Sequence, residues 1–139
     1  MSIRHAAAAL AGVSFLLSAP LAQAQTPPDF TNFHAACMAA QPFLLGEVPP
    51  GVNAENILTP LCGCLVTAFA PMSQKDVDVL TEDLKGTSTE ESHKAHGDYQ
   101  ALGEKAREGL NNCFASPEVS AAMKPAAGTE TEAPAAPAK

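Results

Sequence analysis

The chain has 139 residues, 46% of them hydrophobic, with a formal charge of −7, four cysteines and no tryptophan. That length leaves room for one domain at most. The acidity argues against nucleic-acid binding and against electrostatic attachment to anionic membranes, because both need a basic surface.

The chain opens as an export leader. Arg4 and His5 form a short basic start, Ala6 to Leu17 is a weakly apolar run, and Ala22-Gln23-Ala24 has the small-residue pattern of a cleavage site. The run falls short of the roughly 20 apolar residues that a membrane span needs. We therefore expect residues 1–24 to be a signal peptide, 25–28 a linker, and no membrane insertion once the leader is removed. The expected destination is the periplasm or the exterior.

A first helix is predicted from Asp29, as N-cap, to Gln41. Phe30, Phe33 and Cys37 share one face and Pro42 stops it. Residues 42–52 read as a loop, with Phe43, Leu44 and Leu45 as its apolar cluster.

A second helix is predicted from Ala54 to Ala70, capped by Asn53, with Leu58, Leu61, Leu65, Phe69 and Met72 as its stripe. Pro60 is the awkward residue. Proline is tolerated in a first turn, so Thr59 could be the true cap and Ala54–Leu58 a separate turn.

A third helix is predicted over Gln74–Lys85. Ser73 and Asp76 suit a capping box, Gly86 a C-terminal stop, and Val77, Leu80 and Leu84 the core face. Asp76, Asp78, Glu82 and Asp83 are expected to face water. A fourth helix opens near Thr89, with Thr87 or Ser88 as cap. It carries the stripe Ala95, Tyr99, Leu102, Ala106, Leu110 and Cys113. Gly103 and Gly109, near the edges of that stripe, suggest close helix approach, and a break near Gly97 is equally cheap. From Ser116 the chain is rich in alanine and proline and poor in large apolar residues. Residues 116–139 are therefore predicted to be a disordered tail.

Residues 29–115 thus read as an all-α bundle of about four short helices. A core this small supplies only a few kcal/mol by itself. An even number of cysteines in a short exported chain implies disulfides. Measured from Leu65 on a helical wheel, Cys62 lies roughly 60° to one side and Cys64 roughly 100° to the other. The two thiols flank one apolar face, so each is placed to reach a different neighbour. Four cysteines admit three pairings. Bonding Cys62 to Cys64 directly would strain a regular helix. Of the two stapled versions, the sequence reading favours Cys37–Cys64 with Cys62–Cys113.

Sharper chemistry finds little support. Cys62-Gly63-Cys64 could cycle as a redox pair, but no Lys or Arg lies within ten residues to depress a thiol pKa. His34 with Cys37, and His93 with His96, have helical spacing for metal ligands. Disulfide cysteines cannot ligate, however, and His93 and His96 stand among charged residues. No catalytic residues, metal site or cofactor are assigned. The functional expectation is an exported accessory module, of inhibitor or immunity type, that binds another periplasmic or secreted protein. Two alternatives are a thiol–disulfide oxidoreductase using Cys62 and Cys64, and a carrier of a small apolar ligand in a groove lined by Phe30, Phe33, Phe43, Leu44, Leu45, Phe69 and Phe114.

Overall fold

The computed structural model describes residues 26–125, so the signal peptide expected over 1–24 and the tail beyond Pro125 lie outside the described residues. Within them the chain is helical, with no strand and two disulfides. Seven helices follow in order: α1 (Thr31–Ala39), α2 (Gln41–Leu45), α3 (Ala54–Ala68), α4 (Gln74–Lys85), α5 (Glu90–His96), α6 (Tyr99–Phe114) and α7 (Pro117–Ala122).

Local chemistry sets most of the boundaries. Asp29 Oδ1 accepts the Thr31 N–H at the start of α1. Pro42 does not simply end that helix. It occupies the first turn of α2, where its missing N–H costs nothing. Asn53 caps α3 by accepting the Glu55 N–H at 2.9 Å. The helix then runs unbroken through Pro60. Thr59 is not a cap, since its hydroxyl donates back to the Glu55 carbonyl. Both bonds of the Ser73–Asp76 capping box form at the head of α4, and Gly86 ends that helix at φ 66° in the left-handed region.

The predicted fourth helix is two helices. Gly97, at φ 93°, turns the chain between α5 and α6. The cap of α5 is Thr89 itself, in a reciprocal box with Ser92. Asp98 then caps α6.

The expectation of disorder from Ser116 needs correction. Ser116 accepts the Val119 N–H, Pro117 fills the first turn, and α7 packs on α3 and α6. Val119 is 0% exposed. Val119 does not act alone: Ala122 packs beside it on the core and the Ser120 hydroxyl donates to the Phe114 carbonyl, so several contacts just past the Cys113 disulfide hold a segment whose composition is otherwise tail-like.

Packing closes a ring. α3 packs on α1, α1 on α4, α4 on α5, α5 on α6, and α6 back on α3. The core runs through it as Phe33, Ile57, Leu58, Leu61, Leu65, Phe69, Val77, Leu80 and Leu102. Phe33 meets Phe30 and Phe69 edge to face at centroid distances of 5.9 and 5.6 Å. Gly109 lies under Phe69, where a Cβ would come 2.5 Å from the ring, so this glycine does allow close approach. At Gly103 a Cβ would meet nothing within 4 Å, and no close approach occurs there.

α3 is the tied member of the ring, as the wheel predicts, but the pairing is the other of the two stapled versions. Cys37 bonds Cys62, and Cys64 bonds Cys113, with Cα separations of 5.9 and 5.7 Å. These correct the favoured Cys37–Cys64 and Cys62–Cys113. A wheel shows that Cys62 and Cys64 flank opposite sides of the face. It carries no information on which side each neighbour occupies. The fully buried Cys62 faces α1 and the half-buried Cys64 faces α6. The bonds close loops with sequence separations of 25 and 49. Each contributes about 3 to 4 kcal/mol in the chain-entropy picture.

Candidate functional site

Inside the ring, open on one side, is a cleft of about 280 Å³. Its floor is Leu65, Phe69 and Leu80. Leu84 from α4, and Ala106 and Leu110 from α6, line its sides, all three half-buried. The short helix α2 supplies one lip through Phe43 and Leu44. Phe43 is 73% exposed, which is unusual for a phenylalanine in a domain with so few aromatics. Pro42 and the Gly46 turn hold it there by keeping α2 to five residues.

Of the seven residues expected to line a groove, the structure brings four to this cleft: Phe33, Phe43, Leu44 and Phe69. Phe30 packs edge-on against Phe33 instead. Leu45 and Phe114 border a separate hollow with Ile57 and Met123 on the α7 side of the domain.

Two charged groups reach the cleft, Asp83 from α4 and Arg107 from α6. Asp83 is already engaged. Its Oδ1 lies 2.9 Å from His93 Nε2 and its Oδ2 accepts the Tyr99 hydroxyl at 3.0 Å. Arg107 is exposed and has no ion-pair or hydrogen-bond partner among the described residues.

His93 and His96 lie neither on a solvated face nor together. His93 stacks on the Tyr99 ring at 3.7 Å. His96, with a side chain only 8% exposed, puts Nε2 at 2.6 Å from Asp76 Oδ1. Its buried Nδ1 has no partner. The Lys75 ammonium donates to the carbonyls of Ala95 and His96, the natural place for a cation at a helix C-terminus. Asp76 and Asp83, expected in water, are therefore the α4 anchors of this clip. α5 has no buried residue and is held by these polar contacts. Burial raises the Asp76 carboxyl pKa, but hydrogen bonds from His96 and Ser73 outweigh it and hold the group below its ordinary value. Burial, and then the Asp83 carboxylate, raise the Tyr99 phenol. The spacing of Asp76 and Asp83 on α4, one heptad apart and opposite His93 and His96, was the available signal for this clip.

Among the described residues no group of three or more His, Cys, Asp or Glu side chains is placed to hold a metal ion. All four cysteines are bonded, and Cys37, Cys62 and Cys113 are fully buried. No helix of the described residues is long and apolar enough to cross a membrane. No known protein family matches the chain, and no curated protein or solved structure shows significant similarity to it.

Proposed function

We propose that this chain is an exported, non-catalytic binding module that carries a small apolar ligand in the cleft between α2, α4 and α6. The carrying observation is the cleft itself. A domain this small has little apolar surface to spare, yet it leaves about 280 Å³ open among apolar side chains, close to the lower end of small-molecule sites. Export is supported by the leader-like start of the chain and by two inter-helix disulfides, which persist in oxidising compartments. Against a redox role, Cys62 and Cys64 belong to different disulfides, so the strained ring between them is not formed. The close polar contacts at His93 and His96 tie α5 to its neighbours, and we assign them no catalytic step.

The test is titration of the oxidised protein with a neutral fluorescent apolar probe such as N-phenyl-1-naphthylamine. Saturable one-to-one binding is expected. Gly103 lines the cleft and has free space at its Cβ position, so Gly103→Phe directs a ring into the cleft and should abolish binding without unfolding the domain. Unsaturable binding, or binding unchanged by that substitution, refutes the proposal.

The exposure of Phe43 beside the cleft favours a second reading, in which a secreted or periplasmic protein partner inserts an apolar anchor there. That reading expects Phe43→Ser to abolish capture of one protein from an export-compartment extract.

A further inference from the structure

Building on the carrier reading above, we infer that the ligand is an anionic single-chain amphiphile, an alkyl carboxylate of medium length, whose head group is received by Arg107.

The inference rests on the charges at the cleft. An apolar tail is specified by the walls, which are almost wholly hydrocarbon. A head group is specified by whichever polar group at the cleft is still free to bind. Asp83 is spent on His93 and Tyr99. Arg107 is left, without a partner, and it is the one arginine among the described residues. It lies one residue along α6 from Ala106, on the cleft wall. A guanidinium presents a planar fork of donors that matches a carboxylate and holds its charge at any physiological pH. Placed where a chain leaves the cleft, it would take an anionic head while the tail stays among Leu80, Leu84 and Leu110.

The surrounding charge narrows the source. Between residues 29 and 118 the chain carries 13 Asp and Glu against 5 Lys and Arg. That field opposes approach to an anionic membrane, whose charges are many and fixed in a surface. It opposes a single small anion much less, and the local Arg107 charge then decides within a Debye length of about 10 Å. The occupant is therefore a free monomeric amphiphile, not a lipid embedded in a bilayer.

The experiment is isothermal calorimetry on the oxidised protein with decanoate, 1-decanol and decyltrimethylammonium at low salt. Decanoate is expected to bind about threefold more tightly than decanol, the scale of an exposed ion pair, with the cationic chain weakest. Arg107→Gln should equalise decanoate and decanol, Arg107→Glu should reverse their order, and Arg107→Lys should keep part of the preference. The preference should shrink towards one at 1 M salt. Along the series from hexanoate, affinity should rise about fourfold per added methylene until the cleft is filled. If decanol and decanoate bind equally in the wild type, and both are lost in Gly103→Phe, the head-group inference is overturned while the carrier reading stands. If the preference survives Arg107→Gln, Arg107 is not the receptor and the inference falls. Tighter binding to phosphatidylglycerol vesicles than to free decanoate also overturns it. If none of the three amphiphiles binds, the carrier reading fails and takes this inference with it.

Discussion

Two glycines on one helix should respond oppositely to the same substitution. Gly103 and Gly109 both lie inside α6, so replacing either by alanine relieves the same backbone penalty, about 1 kcal/mol in favour of the variant. At Gly103 nothing opposes that gain, because the new Cβ meets no atom within 4 Å. Gly103→Ala should therefore stabilise the domain by up to about 1 kcal/mol. At Gly109 the new Cβ would stand 2.5 Å from Phe69 Cε1. The Phe69 ring is 4% exposed and packed edge-on against Phe33, so it cannot turn freely. Overpacking of this kind costs roughly 1 to 3 kcal/mol. The net effect of Gly109→Ala is a loss of up to about 2 kcal/mol. For a domain of this size the two variants should differ in Tm by roughly 10 °C, since 1 kcal/mol moves Tm by about 4 to 8 °C. Thermal unfolding of the oxidised proteins, followed by far-ultraviolet circular dichroism, measures the difference. Trimming the ring in Gly109→Ala with Phe69→Leu should recover part of the loss. Equal stabilisation by both single substitutions would refute the packing claim and mean that Phe69 has room to move.

Two further outcomes are expected. Val119→Ala should cost about 2 kcal/mol in urea unfolding, because the side chain is fully buried under α3 and α6; a disordered segment would show no change. Asp76 has a folded pKa below its ordinary 3.8, so its contribution is present above the unfolded value and is lost as pH falls through the folded one. The stability difference between the wild type and Asp76→Asn should shrink as pH falls below about 4; an unchanged difference down to pH 2 would remove Asp76 from the clip.

How much of this was legible in the sequence depends on the range of the forces involved. The bounds and caps of α4 were legible, because Ser73, Asp76 and Gly86 act within a turn of where they sit. Participation of all four cysteines was legible from their number and from the wheel of α3. Their partners were not, since handedness of packing is a property of three helices at once. α2 and α7 were missed for a related reason. Both are too short to show a period, and each carries a proline in its first turn, of which Pro42 reads as the stop of the helix before it. The Ser116-Pro117-Glu118 start of α7 carries a cap, a first-turn proline and a first-turn acid, the local signature of a helix start. Composition outweighed it in the reading of the tail. The clip was hidden by the habit of assigning acids to solvent: Asp76 and Asp83 are polar, but their partners lie 20 and 10 residues away.

The cleft follows from the same ring. Apolar stripes account for three of its contacts: α3 on α1, α1 on α4, and α6 on α3, with the disulfides locking α3 to α1 and to α6. Had α4 packed on α6 in the same way, Leu80 and Leu84 would have met Ala106 and Leu110 and the middle would have closed. Instead α5 stands between them, joined by His93, His96 and Lys75 and burying nothing of its own. A polar spacer holds two apolar walls apart. Substituting an apolar helix for α5 would let those walls collapse onto each other, so the feature that looks weakest in the fold is the one that keeps the cleft open.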